Sequence, residues 1–555
     1  MRGSGTGKGR SWGSGALGFA AVGFVLVAGW SLDAQHFAPP RTPIGSEVSV
    51  PRHLADDEEF TLSLPALVEH GRRLFMANWT EQEGGGRPLT KGTGKELSDI
   101  SQPLVGKRSF NRVSAPDANS CYGCHNSPYG SVGGGGDFVT NVFVLAQRFD
   151  FVLFDNDDGM PTRSAVDEAG NRVTSSTVGN LRSTTGMFGG GYLEMLAREI
   201  TTDLHKIRDG LKIGQSAELV SKGISFGTLT RRADGMWDTS KVLGLPRLSI
   251  LSPTPLERPT LVIRPWHQAA NVVSLREFTN TAYNHHHGIQ TVERFGRDTD
   301  LDGDGFTNEM TRGDVTAVSV FQATMAVPGR LIPRDRAVEE AVMLGERRFR
   351  EVGCGRCHVP ELPLTRNGWS YSEPNPFNPA TNLRPGDAKS LRLDLTDPRL
   401  PQPRLTPAAP DADVIMVPAY TDFKLHDITD PDDPSEAETL DMNQSLVSPR
   451  LLGGNRRFLT KRLWGAANEQ PYFHHGRFTT MRQAVLAHNG EALTERRAFQ
   501  NLPAHEGDAI IEFLKTLQVL PPGTKDLVVD EEFRARPWPP AWATEKPDQR
   551  AEARQ

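Results

Sequence analysis

The sequence predicts a mainly α fold with extensive loops, arranged as two similar halves. Three observations lead there. The run Cys121-Tyr122-Gly123-Cys124-His125 returns as Cys354-Gly355-Arg356-Cys357-His358. An amphipathic helical pattern precedes each run, and Gly71-Arg72-Arg73-Leu74-Phe75 in the first is echoed by Gly345-Glu346-Arg347-Arg348-Phe349 in the second. The chain also carries 54 Gly and 40 Pro in 555 residues, which calls for long connecting loops.

Two cysteines three apart, with a histidine directly after the second, form the attachment signature of a c-type haem. Each sulfur closes a thioether onto a former vinyl group, and the adjacent imidazole reaches the iron. Cys121, Cys124 and His125 are therefore expected to hold one haem c, and Cys354, Cys357 and His358 a second. A lone Cys-x-x-Cys is often a redox dithiol or half of a zinc site. Here the two complete motifs use all four cysteines of the chain, leaving no thiol for a disulfide or a nucleophile. The two halves then read as cytochrome c-like haem domains.

A length of 555 residues is too great for one core. A net charge of −6 gives no case for nucleic-acid binding. Arg2, Lys8 and Arg10 precede the apolar run Ala16 to Trp30, and Ala34 offers a cleavage point. This is a signal peptide or an uncleaved N-terminal anchor, the one expected membrane contact, and either places the rest in the periplasm or outside. The expected order is signal or anchor 1–34, linker 35–60, N-terminal haem domain 61–330, C-terminal haem domain 331–525, and a loosely packed tail 526–555.

Along the chain, Leu64, Leu67, Val68, Leu74 and Phe75 share one helical face. Gly133 to Gly136 lets the backbone pass close to a haem edge, or forms a surface loop. Short strand-like pieces from Val139 to Leu261 surround one good helix, Tyr192 to Ile207, which carries Glu194. In Asn284-His285-His286-His287-Gly288, neighbours on a helix diverge by about 100°, so at most one histidine faces a given iron. Asp298, Asp300, Asp302, Asp304 and Glu309, with Gly303, fit a calcium loop, so one Ca²⁺ is expected; a solvated acidic turn is the alternative. Helices are expected over 335–349 and 508–517, with long loops over 360–449 wrapping the second haem.

Phe458-Leu459-Thr460-Lys461-Arg462-Leu463-Trp464-Gly465 and Pro471-Tyr472-Phe473-His474-His475-Gly476-Arg477 resemble the bacterial di-haem oxidoreductase family, related to di-haem cytochrome c peroxidases and MauG. In those relatives a helix just after the Tyr-Phe-His motif supplies the distal ligand of the second haem, often Met or Tyr. The matching residue here is His488, with His426 in reserve. The resemblance thus implies a His358/His488 relay iron, at lower potential than a His/Met one. It also implies an open distal side opposite His125. There His286, then His287 and Glu194, are the ranked acid–base candidates, and Trp266 and Trp464 are candidate stepping-stones between haems. The implied activity is that of a peroxidase fed by a small redox protein such as a cytochrome c. Oxygenation of an organic substrate, as in the rubber-cleaving relatives, and a pure electron carrier are the alternatives.

Overall fold

A computed structural model describes residues 43–85, 120–136, 138–141 and 180–544, apart from short gaps at 253, 255, 302–303, 410 and between 434 and 452. The N-terminal segment 1–34 and Asp302 lie outside the described residues. No helix among those described is long and apolar enough to cross a membrane.

The chain from Pro43 onward forms one compact unit. Its first half holds helices α1 (Leu64–Met76), α2 (Cys121–Cys124), α3 (Gly190–Gly210), α4 (Leu275–His287) and α5 (Arg312–Thr324). A strand pair β1–β2 (Phe138–Asn141, Asn180–Ser183) and a meander β3–β4–β5 (Gln215–Ser221, Ile224–Arg231, Trp237–Asp238) join them. Strand β6 (Gly329–Leu331) leads to α6 (Arg336–Val352). Four short strands follow: β7 (Leu362–Thr365), β8 (Ser370–Glu373), β9 (Leu391–Asp394) and β10 (Val414–Val417). Then come β11 (Leu425–Asp427), β12 (Arg457–Leu459), α7 (Met481–Ala487), α8 (Leu493–Gln500), α9 (Ala504–Lys515), β13 (Leu517–Gln518) and β14 (Val528–Val529). The fold is therefore mixed rather than mainly α, because the stretches read as loops contain strand pairs of three to four residues, too short to show alternation.

The echo between the two halves has a geometric counterpart. In the first, α1 crosses α5 where Gly71 meets the carbonyl of Ala317, and the ring of Phe75 lies 5.5 Å from that of Phe321. In the second, α6 crosses α9 where Gly345 meets the carbonyl of Ala509, and Phe349 lies 5.3 Å from Phe513. Each crossing thus sets a Gly and a Phe four residues apart against an Ala and a Phe four residues apart. A methyl group at either glycine would collide with the facing carbonyl. Gly345→Ala is expected to cost about 1–3 kcal/mol, read as a lower midpoint in denaturant unfolding; an unchanged midpoint would mean the crossing is not this close.

Two differences from expectation concern the ends. The segment 43–60 is no loose linker: Leu54 is buried, and its amide donates to Asp314 Oδ1 at 3.0 Å. The tail is also packed as far as the short helix Ala541–Thr544. Arg536 pairs with Glu339, and the Trp538 indole donates to Glu346 at 3.0 Å. Segment 360–449 departs too. Leu362, Leu364, Tyr371, Leu393, Ile415 and Val417 join the large first core, while Phe349, Phe499, Ile510, Phe513, Leu514 and Leu517 make a separate smaller one.

Candidate cofactor cavity

Cys121 to Cys124 make a single helical turn, and His125 leaves it at φ −103°, ψ 69°, swinging its ring off the helix axis. Its Nδ1 lies 3.1 Å from the carbonyl oxygen of Gly134. The glycine run is what allows this: a side chain at Gly136 would overlap the Cys124 carbonyl, and one at Gly134 the Ser127 carbonyl. In the second motif, His358 Nδ1 sits 3.2 Å from the Tyr420 carbonyl. His488, at the end of α7, has its Nδ1 2.8 Å from the Ala484 carbonyl. In all three a backbone carbonyl sits beside Nδ1, the outer-shell pattern of metal-binding histidines.

His125, His286, His358 and His488 line one continuous cavity of about 390 Å³, within the size range of cofactor sites. Cys354 and Cys357 line it as well. The rings of His358 and His488 are 6.4 Å apart, centre to centre. Two metal–nitrogen bonds of about 2.0 Å, plus roughly 1.1 Å from each nitrogen to its ring centre, span about 6.2 Å. Burial lowers the pKa of His125 and His488 and takes His358 down to about 4, so each presents the neutral, ligating imidazole at pH 7. Aromatic and aliphatic side chains such as Phe278, Phe458, Leu463 and Leu514 supply an apolar wall; Arg182 and Arg462 supply largely buried cations, and Lys461 a part-exposed one, suited to carboxylates. These residues fit a macrocycle with acidic side arms held at the second motif; of the first motif only His125 reaches this lining.

The structure separates the acid–base candidates. His286 lines the cavity, and burial, with His287, His125, His267 and Arg182 nearby, holds it well below its ordinary pKa. His287 turns elsewhere: it is 1% exposed, its Nε2 is 3.2 Å from Cys121 Sγ, and it meets Tyr283 edge-on. Glu194 is fully buried and off the cavity lining. Its oxygens accept from Arg198, from the Leu275 amide at 2.7 Å and from Asn375 at 2.8 Å. It ties α3 to α4 and does not reach the cavity lining.

Other expectations also shift. His426 lies between Asp422 and Glu491, 2.9 Å from each, so neither ring nitrogen is left for iron. It forms a cluster with Asp422 and Cys357 beside the second motif. Trp266 lines the cavity, whereas Trp464 donates to the Pro328 carbonyl at 2.6 Å and packs in the core. In the acidic loop, Asp300 accepts from the amides of Asp304 and Gly305, Asp298 pairs with Asn308, and Glu309 accepts from the Gln290 amide. The described residues of that loop gather no cation cage.

Residues that sequence reasoning did not single out also line the cavity. His267 adopts a left-handed φ of 61°, with Nδ1 3.0 Å from Asn271 Oδ1 and its ring edge-on to Phe278. A non-glycine residue in that region costs on the order of 1–3 kcal/mol and clusters at working sites. Arg182 pairs with Glu438 at 2.9 Å, and Lys461 with Glu469 at 2.7 Å. The Lys461-Arg462 pair was visible inside the quoted motif, but burial of a cation has no sequence signal.

No family model matches the chain, and no curated protein matches it. Among solved structures, a chain of hydrazine synthase from Kuenenia stuttgartiensis is similar over 55% of this chain and 76% of its own length. The identity is 15% and the TM-score 0.24, so the reading of this chain rests on its own residues.

Proposed function

We propose that this chain is an exported di-haem c-type oxidoreductase of the peroxidase kind, with two cytochrome c-like halves. The observation that carries the reading is the pair of imidazoles, His358 and His488, with ring centres at about the separation of two ligands on one metal, in a cavity shared with a differently furnished histidine motif. The matched Gly/Phe helix crossings beside the two motifs support it. A haem at each motif supplies one-electron chemistry and, where its distal side is accessible, peroxide chemistry.

The protein's part is to make the two sites unequal. His358 and His488 would both hold the iron of the second haem, which would suit a relay receiving electrons from a small redox protein. At the first, His125 would hold the iron. His286 and His267 line the cavity with imidazoles kept neutral by burial, and in this reading His286 would take a proton from an entering hydroperoxide and return it to the departing oxygen. Calcium has no part in this proposal.

The test is made on the mature exported protein. Mass spectrometry is expected to find two covalent haems, and electron paramagnetic resonance one bis-imidazole iron. Cyanide should shift the spectrum of the other haem alone. Fewer than two haems, or two irons indifferent to both cyanide and peroxide, would overturn the proposal, the latter in favour of a pure carrier.

A further inference from the structure

His474 is held in place by its backbone. Its carbonyl accepts from the Ser183 amide at 3.1 Å and from Gln268 Nε2 at 2.8 Å, which ties it to β2 and to the His267 turn. Its ring stacks on Phe458, centres 3.7 Å apart and planes 14° from parallel. The ring forms part of the cavity wall. Yet both ring nitrogens are buried and neither has a hydrogen-bond partner among the described residues. A buried imidazole with neither nitrogen satisfied is rare, because desolvating each nitrogen is costly unless a partner replaces water.

The surroundings say what that partner is. His475, Arg477, Arg182 and His488 all act electrostatically on His474. Arg462 lines the same cavity with a buried Nε that also lacks a hydrogen-bond partner among the described residues. Lys461 and Arg462 share Glu469, at 2.7 and 3.8 Å, so this wall holds more cations than anions. A neutral imidazole offers one donor and one acceptor, and an arginine offers donors only. Such a wall recognises an oxygen anion, and planar carboxylates suit it best.

We infer that His474 is a carboxylate-binding residue, donating a ring N–H to a carboxylate that Arg462 also contacts in this cavity. Resting on the reading above, the carboxylate is a propionate of a bound haem; a free carboxylate substrate is the other source of the same chemistry. A hydrogen-bonded propionate has its charge partly offset. Losing the bond therefore favours the ferric state and lowers the reduction potential of that haem.

The experiment compares holoprotein carrying His474→Phe, which keeps the stack and bulk but removes both nitrogens, with His474→Gln, which keeps a donor. Haem content is measured first, and fewer than two haems in the unmodified protein sinks the functional reading rather than this inference. Given full content, one midpoint potential should fall in the Phe variant and recover in the Gln variant, with axial-ligand resonance signals unchanged. Acetate is then titrated into the unmodified protein. A saturable spectral response that His474→Phe abolishes assigns the carboxylate to a substrate; a potential drop without one assigns it to the cofactor. Unmoved potentials and no acetate response overturn the inference. Should the Phe variant fail to accumulate, His474→Leu against His474→Gln repeats the comparison.

Discussion

Replacing His488 with alanine should, on the proposed di-haem reading, turn the second haem from low-spin six-coordinate to largely high-spin, and added imidazole should reverse the change. The ring of His488 stands 6.4 Å from that of His358 with its Nδ1 tied to the Ala484 carbonyl. Truncation removes the ligand and leaves a ring-sized space into which free imidazole can bind. His426 cannot substitute, since Asp422 and Glu491 occupy both its nitrogens. The potential of that iron should rise as one of two donor imidazoles is lost. Optical and resonance spectra of the variant, with and without imidazole, decide the matter. A change confined to the first haem would reverse the assignment of relay and reaction sites.

A second large effect is expected at a residue that does not line the cavity. Asp314 near the start of α5 is fully buried and bonds His53 Nδ1 at 2.7 Å, His70 Nε2 at 2.8 Å and the Leu54 amide at 3.0 Å. Burial alone would raise its pKa, but the hydrogen bonds and charges of the two histidines outweigh that and hold it well below the carboxylate range. Burial likewise disfavours charge on His53, and there too the hydrogen bond and charge of Asp314 win, raising it. Asp314→Ala leaves two imidazoles without their acceptor and should cost about 3–5 kcal/mol.

The pH dependence has a definite sign. The depressed Asp314 contributes stability that is complete above its unfolded value near 4 and is lost as pH falls through the lower folded value. The raised His53 contributes stability that is complete below its unfolded value near 6.5 and is lost as pH rises through the folded value. The gap between parent and variant should therefore be widest between about pH 4 and 6.5 and narrower at pH 8.5. Urea unfolding at the two pH values measures it, and an equal gap would deny the ionic part of this anchor.

The helices and the two histidine motifs were readable because their information is local. An apolar face repeats every 3.6 residues, and covalent attachment demands adjacent residues. The same periodicity placed Glu194 on a helix but could not say which side meets a cavity, and its partners Leu275 and Asn375 are far away in sequence. The strands β7 to β10 were invisible for a related reason: four residues hold too little alternation, and their burial depends on the first core. His267 and the cations at Arg182 and Arg462 became significant only when folding removed them from water. His286 was ranked ahead of His287 by resemblance, and it is the one of the two that lines the cavity.

Strand β6 lies between β13 and β14, antiparallel to one and parallel to the other. The connector between the helix crossings is thus stitched on both edges by strands that follow the second crossing in the chain. That seam ties the link between the two halves to the segment beyond α9, so loosening either flanking strand would bare an edge of the link itself.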